Sequence, residues 1–510
     1  MTLSVKKVAI IGAGAGGLVT LNELLHTASD GSSTIDKERD RHALPANGAF
    51  SEITVFEQNN SIGGVWNYSK EKDEAFPSGV DEYYKPSEVR PTRGPPASLD
   101  STSKEFPIES KSVPGLRWNK SGIYDGLFTN IPGELMRFTS GPPSVSTKDG
   151  VYAPFVTHDH VLRYLENFAK VNDLEKYIRF NSSVEKVYKD PVTEKWVLQV
   201  VESKDNIDKW YQETFDAVVV AIGKFNIPHF PKIDGLREFA TKHNNVSHAK
   251  SYRNPSELKN KKVLIVGSSI SAVDILQYLI PVCKEVHVST NTIPGQALKN
   301  NKEAGKKWIS DVLTDPTFQI RLHPKISQFL EDSVEFIDGQ VERFDKIILA
   351  TGYHTHYPFL SIPENEGKDY VKVSTDGEEA TQHNIVRNLY LYTFSIGDPT
   401  LCHIGIPRTP LFFLISEVSA IAIAGVWSNA KTLPSKEEQK QWVEDAFALQ
   451  SAGIKRVTSD AATELYNKIH SLGPRGRYNF FESNVIDDPE DAKIILKDLF
   501  YKIVRGEIEI

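Results

Sequence analysis

VAIIGAGAGG, residues 8–17, sets Gly12, Gly14 and Gly17 between an apolar strand and the start of a helix. A phosphate-binding turn needs glycine for three separate reasons: a tight turn, close approach of backbone to pyrophosphate, and close packing of helix on strand. The helix that follows offers free N–H groups and a partial positive charge to an anion, with Ala13, Ala15 and Gly16 filling the rest of the turn. A ribose-binding acid is expected at the end of the next strand, usually about 20 residues on. Here Ile53–Phe56 ends in Glu57 and Gln58, and the polar stretch 28–50 accounts for the longer gap.

A second stretch of the same grammar follows about 255 residues later: KVLIVGSSISAVDILQYL, residues 262–279. It keeps Gly267 but has Ser269 and Ala272 where the other two glycines would fall, while Ser268, Ser269 and Ser271 add hydroxyl donors. Its next strand, Glu285–Ser289, runs on into Thr290-Asn291-Thr292 without an acid. A carboxylate there would repel a ribose 2′-phosphate, so its absence favours NADP over NAD. Asp274 has two readings: an orienting hydrogen bond near the site, or an acid favourably placed in the first turn of a helix. Two cradles imply two dinucleotides, and two dinucleotides in one chain imply electron transfer between them. Alternating strands and helices around both make the chain an α/β protein of doubly wound design.

Composition narrows the function. The net charge of -8 lacks the basic surplus of a duplex nucleic-acid binder. Two cysteines, Cys283 and Cys402, form no CxxC, which argues against a disulfide framework or a redox pair and fits a cytoplasmic protein. The short run from Met1 to the strand at Val8 leaves no room for a signal peptide, and none is expected. The apolar run Leu411–Trp427 carries Ser416, Glu417 and Ser419 and reads as a buried helix rather than a transmembrane segment. A homodimer and a peripheral seat on an internal membrane are left open. Charged helices are expected near 436–449 and 490–504, strands at 183–188, 196–201 and 215–222, and irregular surface chain over the proline-rich stretch 70–120. The histidines show no metal-ligand spacing; His354 and His356 are read as surface or interdomain residues.

Past Glu57 comes Gly63-Gly64-Val65-Trp66, which reads either as backbone passing close along a planar cofactor or as an ordinary turn with a core tryptophan. Together with the cradles, this stretch resembles the class B flavoprotein monooxygenases, in particular the fungal branch of the flavin-containing monooxygenases. The likeness extends through Thr129-Asn130-Ile131-Pro132, Ile222-Gly223 with Pro228 and Pro231, Ala350-Thr351-Gly352-Tyr353 and Asp398-Pro399-Thr400-Leu401. Ile222 stands where the family usually has threonine. The family fingerprint survives only as His248 and Tyr252, and tyrosine there favours the flavin-containing type over the Baeyer–Villiger type.

The resemblance implies two Rossmann-like domains, the NADPH domain (226–335) inserted into an FAD domain built from 1–225 and 336–510. It implies FAD contacts from residues 12–17, Glu57, Gln58, Gly64, Val65, Trp66, Thr129, Asn130, Val184 and Gly223. NADPH contacts would come from Gly267, Ser268, Ser269, Ser271, Asp274 and Gly352. It also implies the chemistry: NADPH reduces FAD, O2 adds to give a C4a-hydroperoxyflavin, and a small soft nucleophile (sulfur or amine nitrogen) takes the distal oxygen. Asn130 matches the family asparagine that touches flavin and nicotinamide together and is the catalytic candidate. Competing readings are a Baeyer–Villiger enzyme acting on ketones, a disulfide oxidoreductase lacking its cysteine pair, and a nucleotide-binding protein without turnover.

Overall fold

A computed structural model describes residues 2–36, 43–112, 118–142, 150–291, 307–361, 372–373, 386–407, 409–451, 459–480 and 490–508. The strand Lys7–Ile11 lies at the heart of a seven-stranded sheet, flanked in parallel by Glu52–Phe56 and Ala217–Val220. Its apolar residues are fully or almost fully buried on both faces, as a central parallel strand requires. Ile178–Arg179 extends one side, and Leu401–His403, Phe394–Ser395 and Leu389–Tyr390 extend the other.

A second sheet of five parallel strands runs in the order Val246–His248, Lys346–Leu349, Lys262–Val266, Glu285–Ser289, Arg321–His323. All five fall between the strands that the first sheet takes from residues 217–220 and 389–403, so the second unit is inserted into the first. The chain passes between the units as two short antiparallel strands, Ile227–Pro228 and Tyr353–His354.

Four expectations need correction. The strand expected over 215–222 is broken at Asp216: Ile207–Phe215 belongs to a four-stranded antiparallel sheet and Ala217–Val220 to the first sheet. The Asp216 carboxylate accepts from the Lys6 and Lys7 backbone N–H groups, both at 2.8 Å, and so pins the change of sheet. The boundary at 335/336 falls inside the second unit, because Lys346–Leu349 pairs with Lys262–Val266 in its sheet. The helix Glu490–Val504 is expected within 336–510, among the C-terminal helices that accompany the second part of the first unit. It packs instead on the second unit, where Leu499, Phe500 and Ile503 share a core with Ile275, Leu276 and Leu279. Finally, the stretch 70–120 is not wholly irregular, since Ile108–Lys111 adds an edge strand to the four-stranded sheet.

That stretch also joins the two units. Lys250, fully buried, pairs with Asp73 and donates to the Trp118 carbonyl at 3.0 Å. Burial pulls its pKa down to about 8 against the opposing pull of Asp73. Arg253 donates to five backbone carbonyls, those of Ser69, Glu71, Ser121, Lys250 and Tyr252. Five donors meeting five carbonyls use the whole guanidinium fork.

In the first unit the helix Ala15–Leu25 packs on Phe412–Trp427, the buried apolar helix expected from the sequence. Arg477 lies between them, bonded to Glu23 at 3.0 Å and Glu417 at 3.1 Å. Both charges of each pair are withdrawn from water, so removing one partner strands the other. No described helix is long and apolar enough to cross a membrane.

Candidate active site

The first cradle is held by backbone. Gly12 has φ +103°, and a Cβ there would lie 2.7 Å from the Ala221 carbonyl oxygen. At Gly17 a Cβ would lie 1.9 Å from the Gly12 oxygen, so the helix rests directly on the turn. A Cβ on Gly14 would come within 3.6 Å of Gly64, which brings the Gly63–Trp66 turn over the cradle, and Gly63 N–H donates to the Ala13 carbonyl at 3.1 Å. Val65 is exposed and Trp66 half-buried there. The helix has no side-chain cap, so its first N–H groups await an acceptor.

Glu57 is buried at the lip of this turn. Its Oε2 accepts from Ala13 N–H at 2.8 Å and its Oε1 from Asn59 N–H at 2.9 Å. Burial raises its pKa while these bonds pull it down. Next to it, Gln58 accepts from Arg90 at 3.0 Å, a residue of the 70–120 stretch that carries no sequence signal of its own. Val184 is buried beneath, packed with Ile11, Phe56 and Val220.

The second cradle repeats the frame. Gly267 has φ +117°, and a Cβ there would lie 2.5 Å from the Ala350 carbonyl oxygen. Gly267 N–H donates to Ser289 O at 2.9 Å, as Gly12 N–H donates to Phe56 O at 2.8 Å. Thr290 takes the structural place of Glu57, since both donate backbone N–H at 2.9 Å to the end of the next strand over. Thr292 lies outside the described residues. Ser268 is half-buried, Ser269 and Ser271 are exposed, and Ser269 caps the helix geometrically without a side-chain bond. Gly223 and Gly352 follow the strand ends that support the two cradles; both have positive φ and open space where a Cβ would be. Asp274 lies beyond the first turn of the helix Ile270–Leu279, which removes its reading as a first-turn acid. Its carboxylate instead accepts from Tyr124 and from Gln277 Nε2 at 2.9 Å, and burial lifts its pKa to about 7.

Thr129 is locked: its N–H donates to Val156 O at 2.8 Å and its hydroxyl to Ile131 O at 2.8 Å. Asn130 is exposed, and its amide makes no hydrogen bond among the described residues. Sequence reading missed Tyr124, Arg90, Arg253 and the Lys250–Asp73 pair, all of which lie in or contact chain without periodicity. His287 Nδ1 and His323 Nε2 meet at 2.8 Å with nearly parallel rings, and Glu342 is 3.8 Å from each. The two nitrogens face one another with room for a shared proton, and Lys262 already engages Glu342 at 2.5 Å. Glu285 adds a contact to His287 Nε2 at 3.2 Å, and the ligand atoms of His287, His323 and Glu342 lie close enough together to hold a metal ion, a grouping that sequence spacing does not reveal.

The residues present fit two dinucleotides: two uncapped helix starts, two glycine turns that any Cβ would block, and a buried acid at only one of them. Fold and site therefore define a two-dinucleotide oxidoreductase. Residues 117–314 match the family described as flavin-binding monooxygenase-like. Flavin-containing monooxygenase FMO GS-OX-like 2 of Arabidopsis thaliana is 31% identical over 466 residues, covering 89% of this chain and 81% of the relative. FMO GS-OX-like 9 of the same plant is 30% identical over 469 residues, covering 90% and 84%. Among solved structures, S-allyl-L-cysteine S-oxygenase from Allium sativum aligns with TM-score 0.65 at 26% identity, covering 99% of this chain and 94% of that one. The chain belongs to the flavin-containing monooxygenase family. It is a flavin-dependent monooxygenase that uses FAD and NADPH.

Proposed function

We propose that this enzyme oxygenates soft nucleophiles, the sulfur or amine nitrogen of small molecules. FAD lies in the glycine-complete cradle with Glu57 on its ribose, and NADPH in the serine-substituted one. The cofactor pair supplies the redox chemistry: electrons pass from NADPH through flavin to O2, one oxygen atom enters the substrate and the other leaves as water. The protein binds, orients and keeps water out. Thr290, in place of an acid, leaves a 2′-phosphate unopposed at the second ribose.

The observation that carries this reading is Asn130, an unengaged amide held on a locked backbone next to Thr129. Such an amide can donate and accept at once and so hold two ring systems in register. The similarity to an S-oxygenase supports sulfur as one acceptor.

The test is stopped-flow mixing of the NADPH-reduced protein with O2. A transient distinct from reduced and oxidised flavin is expected, and a thioether or tertiary amine should hasten its decay. Decay hastened only by a cyclic ketone would establish the Baeyer–Villiger reading instead. In Asn130→Ala, FAD should stay bound while most NADPH oxidation yields hydrogen peroxide, a loss of coupling on the order of tenfold. Unchanged coupling would remove Asn130 from the reaction.

A further inference from the structure

Asp274 invites a question that its place in the cradle does not answer. It lies beyond the first turn of its helix, where interaction with the helix dipole has faded. Its recorded partners are Gln277 on its own helix and the hydroxyl of Tyr124.

Tyr124 belongs to the segment that leads to Asn130. Its ring meets Tyr252 and Tyr278 edge-on at 5.1 and 5.9 Å. Tyr278, four residues after Asp274 on the same helix face, donates its hydroxyl to the Gly126 carbonyl at 2.8 Å. Two side chains of the second-cradle helix therefore grip residues 124–126. Beyond them the chain stiffens: the Phe128 ring stacks on Tyr152 at 4.6 Å, Phe128 bridges to Thr157, and Thr129 N–H bonds Val156 O. At the other end, Ser269, Ile270 and Ser271 are exposed where a nucleotide would land, one turn before Asp274.

We propose that the Tyr124–Asp274 hydrogen bond is a positioning link: through it, a nucleotide in the second cradle holds Asn130 in place beside the flavin. Neither residue touches reacting atoms in this scheme. The link ties the lifetime of bound nucleotide to the placement of the catalytic amide, so that oxygen chemistry is coupled only while the second cradle is filled. The proposal rests on the assignment of Asn130 above.

The experiment uses FAD-loaded full-length protein with NADP+ as the probe. Amide hydrogen exchange is read across residues 124–130, NADP+ affinity by calorimetry, and hydrogen peroxide formed per NADPH oxidised. In the wild type NADP+ should slow exchange over 125–130 by about fivefold or more. In Tyr124→Phe, FAD content and NADP+ affinity should stay within about threefold, while the protection largely disappears and the peroxide fraction rises at least about threefold. Asp274→Leu should behave likewise on protection and peroxide, and the double variant should be no worse than the worse single.

Additive effects, or a Tyr124→Phe protein that keeps both protection and coupling, would overturn the link. So would a variant that loses FAD or binds NADP+ more than about tenfold more weakly, since that marks a purely structural role. Failure of the functional reading looks different: the wild type itself would form no oxygen adduct, whereas the exchange measurement would still report on the link.

Discussion

The two cradles share one frame and differ in what covers them. In both, a left-handed glycine presses against the carbonyl of a neighbouring strand end, Gly12 on Ala221 and Gly267 on Ala350. The first is roofed by the Gly63–Trp66 turn and sealed by buried Glu57. The second leaves Ser269, Ile270 and Ser271 open. At the third glycine position the first helix touches its own turn, whereas the second carries Ala272, fully buried. A covered cradle suits a cofactor that stays, and an open one suits a cosubstrate that comes and goes.

The largest expected contrast comes from the shared glycine. Gly12→Ala places a Cβ 2.7 Å from a backbone oxygen at φ +103°, so FAD content after purification should fall by more than about tenfold. Gly267→Ala meets the same obstacle at 2.5 Å, yet should keep FAD and raise the KM for NADPH by at least about tenfold. Equal loss of FAD in both would abolish the distinction between the cradles.

Next comes the ribose position. Thr290→Glu restores in the second cradle the acid that Glu57 supplies in the first. It should weaken NADPH by about tenfold or more and shift the NADH-to-NADPH ratio of kcat/KM upward. An unchanged ratio would mean that the 2′-phosphate is read elsewhere.

Acid should weaken both units, the first at His403, whose pKa burial lowers to about 3, and the second at His287. His287 occupies the strand position that Thr54 holds in the first sheet, and burial holds its pKa down to about 4, with His323 shifted the same way. A histidine whose folded pKa is depressed stabilises the fold fully above its unfolded value of about 6.5 and less as pH falls toward the folded one. Between pH 7 and 5 the loss should be on the order of 2 kcal/mol, read as a falling Tm. His287→Thr should flatten that slope. The smallest effect is expected from Ala272→Gly, which completes the glycine pattern: about 1 kcal/mol of helix stability lost and NADPH affinity unchanged within about twofold.

Legibility in the sequence followed locality. Both cradles could be read because glycine spacing, apolar strand and helix start lie within about 20 residues. Glu57 and Thr290 could be read because each ends the next strand. Arg90, Tyr124 and Arg253 could not, since each reaches partners more than 25 residues away along the chain. The place of Lys346–Leu349 in the second sheet could not be read, because strand order is set by packing rather than by pattern. The helix Glu490–Val504 was visible, and its partner was not.

That helix has a consequence for how the protein is made. The core around the second-cradle helix is closed by Leu499, Phe500 and Ile503, which leave the ribosome long after the helix they cover. Until they arrive, the apolar surface of Ile275, Leu276 and Leu279 lacks its final cover. The unit of the second cradle, encoded mid-chain, therefore completes its fold only after the described strands of the first sheet have all been synthesised.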